Sequence, residues 1–128
     1  MELEQLKQMV VEANKELPRR ELVKYSWGNV SAVDRERGII IKPVGVPYEE
    51  LTTENVSVVT LDGKLLGKSW EPSVDLDIHR AIYENFEGVS AIVHTHSTYA
   101  TVLAQLRRSL VCFGTTHADY FAGDIPCV

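Results

Sequence analysis

Three consecutive β-branched residues, Ile39-Ile40-Ile41, stand between Gly38 and the pair Lys42-Pro43. A run this short and apolar, bounded by turn-forming residues, reads as a buried strand. Such a strand needs neighbours in a sheet and cover over it, and the rest of the chain offers both. Residues 2–17 place Leu3, Leu6, Met9, Val10, Ala13 and Leu17 on one face of an amphipathic helix, which Pro18 is expected to stop. Residues 24–33 read as a strand around Trp27-Gly28-Asn29, and 35–38 as a polar turn. Runs at 56–60 and 64–66 flank Asp62-Gly63, a two-residue hairpin signal. A helix is expected over 74–86 with Ser73 or Asp75 as its cap, a strand over 91–95, a helix over 98–107 capped by Ser97, and a strand over 110–113. The segment 114–126 reads as loop. Helices mixed with strands and a hairpin imply an α/β fold of three layers, α/β/α, in which helices flank a central, mostly antiparallel sheet. The 128 residues suit a single domain, 1–128.

Charge and composition exclude several functions. The net charge is -5 and the 13 Lys and Arg residues are scattered, so no nucleic acid is expected as a partner. The N-terminal segment carries charges where a signal peptide needs an apolar stretch, and no apolar run approaches a membrane span. No membrane partner is expected. Cys112 and Cys127 give no disulfide framework and read as reduced thiols, which points to the cytoplasm.

The residues able to do chemistry fall into a few groups. In Ala91-Ile92-Val93-His94-Thr95-His96-Ser97, two of the four histidines lie two apart after an apolar strand signal. Side chains at i and i+2 of a strand share a face, so both imidazoles can reach one metal ion; two half-buried histidines at a strand end would read the same way. Asp75 falls in the first turn of a helix with His79 one turn later on the same side. Taken alone, Asp75 reads as a surface group stabilising the helix dipole and His79 as a surface or capping residue. Thr115-Thr116-His117-Ala118-Asp119-Tyr120 reads equally as a functional loop or as a hydrogen-bonded turn. Lys42-Pro43-Val44-Gly45 follows the buried strand; a lysine and a backbone N–H there can hold an anion, and a solvated strand end would look alike. Asn29, at a tight turn, is uninformative alone.

Together these pieces carry a resemblance. Residues 27–34 "WGNVSAVD", 39–46 "IIIKPVGV", 72–83 "PSVDLDIHRAIY", 92–101 "IVHTHSTYAT" and 113–127 "FGTTHADYFAGDIPC" resemble, in order and spacing, the L-ribulose-5-phosphate 4-epimerases of the class II aldolase and epimerase family. The resemblance spans nearly the whole chain. It implies a class II aldolase-like fold and a zinc or other divalent metal ion held by Asp75, His94 and His96. It implies Asp119 as a catalytic acid/base, and Asn29, Lys42, Gly45, Ser73 and Thr116 as substrate contacts. The implied substrate is a phosphorylated pentulose, and the implied assembly a homo-oligomer, a tetramer as in the family. In the implied reaction the bond between carbons three and four breaks in a retro-aldol step, the aldehyde half rotates, and the bond re-forms on the other face. The family carries serine where Val44 and Val74 stand, and its third zinc histidine and a C-terminal tyrosine fall beyond Val128, so a domain truncated at its C-terminus is expected. A class II aldolase acting on a sugar phosphate such as fuculose phosphate is the alternative within the family. A remnant serving as a metal-binding or interaction module is the alternative outside it.

Overall fold

The computed structural model describes residues 2–128. They fall into two units, one ending at Thr95 and one spanning His96–Val128. In the first are α1 (Leu3–Arg19), β1 (Asn29–Asp34), β2 (Gly38–Ile41), β3 (Ser57–Val59), α2 (Leu76–Asn85) and β4 (Ala91–His94). The strands form one sheet in the order β3-β2-β1-β4, and every pairing is antiparallel.

The expected buried strand is β2, with all of its residues buried. Two helices cover the two sides of its sheet. Val10 and Val11 of α1 pack with Ala32, Ile40 and Val58 on one face. Tyr83 and Leu76 of α2 pack with Ile39, Ile41, Val59 and Ile92 on the other. This is the α/β/α layering within the first unit, and alternation along each strand produces it: neighbours in sequence point to opposite helices.

Each helix is tied to β1 by polar side chains. The buried Asn14 of α1 donates from Nδ2 to the Val10 and Val30 carbonyls, at 2.8 and 2.9 Å, and its Oδ1 accepts from the Val30 N–H at 2.9 Å. On the opposite face, Asn29 reaches Asp75, and Ser31 reaches His79 and Tyr83. Two residues of strand advance about 6.6 Å and four residues of helix about 6 Å, so alternate β1 side chains meet successive turns of α2.

The second unit contains α3 (Thr98–Gln105) and α4 (Thr115–Phe121), with an isolated bridge between Leu110 and Ile125. None of its residues is buried.

Several expectations are corrected. The first strand begins at Asn29 rather than near residue 24, because Tyr25 lies in the left-handed region at φ 54° and the chain turns there. Pro18 lies inside α1, which ends one residue later; in a last turn a proline removes only one intrahelical bond. The hairpin turn forms, with the Thr60 N–H donating to the Lys64 carbonyl at 2.8 Å, but its second arm is only a bridge at Leu65. No strand forms over 110–113, where Leu110 alone is bridged. Residues 115–121, expected as loop, are helical. His79 is neither a surface nor a capping residue, since it is 1% exposed beneath α2.

Candidate functional site

β1 and β4 place the central groups. Antiparallel register sets Asn29 directly across from His94, with Ser31 across from Ile92. Gly28, just before β1, allows this approach. Its φ is +93°, and a Cβ there would lie 2.6 Å from the His94 carbonyl oxygen.

Asp75 comes to the same place from α2. It occupies the N-cap position, yet its side chain makes no cap hydrogen bond. The carboxylate turns to β1 instead. Its Oδ2 accepts from Asn29 Nδ2 at 2.7 Å and from Ser73 Oγ at 3.2 Å, and lies 3.3 Å from His94 Nδ1. Asn29 Nδ2 also donates to Ser73 Oγ at 3.1 Å. Asp75 is therefore a packed and bonded group rather than a surface carboxylate.

Lys42 ends the buried strand and is 3% exposed. Its Nζ donates to the Pro43 carbonyl at 3.3 Å and lies 5.0 Å from the centre of the Tyr48 ring. Burial pulls the Lys42 pKa below its usual value. Burial likewise pushes Tyr48 up to about 12, and its hydroxyl donates to the Trp27 and Gly28 carbonyls. The turn after Lys42 runs beside residues 71–73: the Ser73 N–H donates to the Lys42 carbonyl and the Val44 N–H to the Glu71 carbonyl, each at 3.0 Å. Gly45 lies on this turn at φ +73°, with open space where a side chain would begin. Val44 and Val74 are exposed, Val74 at 85%.

Beneath the site lies a polar group that sequence reasoning missed. Ser31 Oγ is 2.6 Å from His79 Nδ1 and 2.7 Å from Tyr83 OH, with all three residues buried. The rings of His79 and His94 are 6.3 Å apart. Burial is the main cause that lowers the His79 pKa to about 4. The four-residue spacing of Asp75, His79 and Tyr83 was the available signal; nothing in it says that β1 lies opposite.

The first unit thus brings together Asn29, Lys42, Ser73, Asp75 and His94. Gly45 lies in the same unit, and the remaining candidates, His96, Thr116 and Asp119, belong to the second. His96 is exposed; Thr116 and Asp119 lie on α4 and are exposed; His117 packs edge-on against Phe121 with ring centres 5.5 Å apart.

Two donors bound to one tetrahedral zinc ion at about 2.0–2.1 Å sit roughly 3.3–3.4 Å from each other. The Asp75–His94 approach of 3.3 Å matches that spacing, and a carboxylate with an imidazole is a suitable pair for a divalent cation. The pair fits as part of a ligand set. Among the described residues no group of three His, Cys, Asp or Glu side chains could hold a metal ion.

Residues 8–128 match the family model described as Class II Aldolase and Adducin N-terminal domain. The chain is 50% identical over 126 residues to the L-ribulose-5-phosphate 4-epimerase UlaF of Salmonella paratyphi C (strain RKS4594), covering 98% of this chain and 55% of that protein. The Salmonella typhi protein of the same name matches to the same extent. The chain therefore spans about half the length of these curated relatives. Among solved structures, an L-fuculose 1-phosphate aldolase superposes with a TM-score of 0.80 at 33% identity, over 88% of this chain and 53% of the other. The l-fuculose-1-phosphate aldolase from Thermus thermophilus does so with a TM-score of 0.76 at 26% identity, over 94% and 61%.

Proposed function

The chain belongs to the class II aldolase and adducin N-terminal domain family, and we propose that it carries the metal-binding and substrate-binding part of an L-ribulose-5-phosphate 4-epimerase, interconverting that sugar and D-xylulose 5-phosphate. The observation that carries this reading is the meeting of Asp75 and His94 at 3.3 Å, anchored by Asn29. Asp75 and His94 would hold a divalent cation such as zinc, and His96 joins them on the strength of the family resemblance. The cation supplies Lewis acidity toward the oxygens of the substrate that gain negative charge.

The remaining roles belong to side chains of this protein. Lys42 offers a cation and Gly45 an unobstructed backbone to the substrate's anionic end; Thr116 is a further contact. Asp119 takes the carbon-four hydroxyl proton as the bond between carbons three and four breaks, and returns it after the aldehyde half has turned. The protein works as a homo-oligomer in the cytoplasm. Exposed Tyr99 and Phe113, at 84% and 92%, support association. Along the described residues no helix is long and apolar enough to cross a membrane.

A second reading, cleavage of a sugar phosphate such as L-fuculose 1-phosphate, is favoured by the 0.80 superposition on an aldolase of that specificity. The 50% identity to epimerases supports the first reading over it. The test incubates the zinc-loaded protein with each sugar phosphate and follows D-xylulose 5-phosphate or aldehyde release. Conversion of L-ribulose 5-phosphate above that of zinc alone is expected, with loss on replacing His94 by alanine. Zinc retained without turnover of either sugar would refute both enzymatic readings and leave a metal-binding module.

A further inference from the structure

We infer that Tyr48 is a positioning residue for the anion-binding end of the site: its ring face holds the Lys42 ammonium in place and leaves that charge free for a phosphorylated ligand. This rests on the reading of Lys42 as the group that meets the substrate's anionic end. Lys42 and Tyr48 are both 3% exposed, and Lys42 Nζ lies 5.0 Å from the centre of the Tyr48 ring, within reach of a cation–π contact. A buried ammonium needs compensation, and the choice of partner decides what it can then do. A carboxylate would cancel the charge and repel an incoming phosphate. Among the described residues no carboxylate forms an ion pair with Lys42. Its ammonium is held instead by the Pro43 carbonyl, at 3.3 Å, and by the ring. An aromatic face attracts a cation through its quadrupole and carries no net charge, so the positive field survives for a ligand. Tyr48 is itself fixed. Its hydroxyl donates to the Trp27 and Gly28 carbonyls at 3.1 and 2.8 Å, and its side chain packs with Leu17 and Val30. Lys42 in turn adjoins the metal end: the Ser73 N–H donates to its carbonyl, and Ser73 Oγ donates to Asp75. A fixed ring thus sets where the substrate's phosphate sits relative to Asp75.

Inorganic phosphate is the probe, titrated into the metal-free full chain and followed by calorimetry. Lys42→Gln tests the premise and should weaken phosphate binding at least as much as any change at Tyr48. Tyr48→Leu should weaken it roughly 5- to 30-fold, with no further loss when it is added to Lys42→Gln. Tyr48→Phe keeps the ring and should retain most of the affinity, although losing the bonds to the Trp27 and Gly28 carbonyls lowers the melting temperature. Should Tyr48→Leu fail to fold, a ring-fluorinated phenylalanine at the same position keeps the shape of Tyr48→Phe and weakens the ring's quadrupole. Phosphate affinity below that of Tyr48→Phe is then expected. Affinity falling in step with melting temperature, in Tyr48→Phe as in Tyr48→Leu, would mark a general structural role and overturn the inference. Affinity indifferent to loss or fluorination of the ring, while Lys42→Gln weakens it, also overturns the inference and leaves the Lys42 reading standing. Unchanged affinity in Lys42→Gln, or no phosphate binding by the unaltered chain, overturns that reading and the inference with it.

Discussion

His79 shows what burial does to a single residue. Its ring is enclosed between α2 and the sheet, bonded to Ser31 through Nδ1, with Nε2 buried and unpartnered. A charged imidazolium there would lose its hydration without an acidic partner in contact, which accounts for a pKa of about 4 against an ordinary value of 6.5. The sign of the consequence follows. Between those two values the unfolded chain binds a proton that the folded chain refuses, so stability falls as pH drops from 6.5 toward 4 and is unaffected by this group above 6.5. The slope approaches about 1.4 kcal/mol per pH unit. Urea unfolding at stepped pH should show it, and His79→Gln should flatten the curve in that window relative to the unaltered protein. An unchanged slope in His79→Gln would mean that other groups cause the acid sensitivity.

α2 is held at both ends by β1 and the residue that follows it. Asn29 holds the helix start through Asp75, and Arg35 holds its end. The Arg35 guanidinium donates to the carbonyls of Tyr83, Phe86, Glu87 and Val89, at 3.0 to 3.4 Å. These include carbonyls that a helix terminus leaves without intrahelical partners, and they carry the negative end of its dipole. Replacing Arg35 with alanine should cost about 1–2 kcal/mol, moderated by the exposure of the outer bonds. Lysine should restore little, because a single ammonium cannot span carbonyls set around a planar fork. Equilibrium denaturation of the three proteins checks both statements. Recovery of full stability by Arg35→Lys would show that charge alone matters there.

Across the whole molecule, burial is unequally shared. Every buried residue belongs to the unit ending at Thr95, and large apolar side chains such as Tyr99, Phe113 and Tyr120 are exposed in residues 96–128. Local stability follows the density of buried contacts. Hydrogen exchange read by mass spectrometry should therefore find slow amides in α1, β1, β2 and α2, and fast exchange over 96–128. Raising the protein concentration should slow exchange over 96–128 if copies of the chain associate through those side chains. Concentration-independent exchange, with a monomer mass by light scattering, would contradict the proposed homo-oligomer.

Elements whose signal is local were legible along the chain. Ile39-Ile40-Ile41 reads as a buried strand in a small domain, the apolar spacing of residues 3–17 makes α1 amphipathic, and the resemblance in "WGNVSAVD" and "IVHTHSTYAT" pointed to the family that the comparisons establish. Whatever depends on partners distant in sequence emerged only with packing. Asp75 looked like a helix-start carboxylate until Asn29, 46 residues away, accounted for its orientation. His79 looked like a surface residue until β1 placed Ser31, 48 residues away, above it. Residues 115–121 looked like a loop because threonine, histidine, aspartate and tyrosine favour helices only weakly; residues with so little local preference take whichever conformation the surrounding chain allows. A pattern along the chain reports which face of an element is apolar. Which polar side chain meets which across two layers depends on the register of the strands and the phase of the helix, and those are set only when the layers pack.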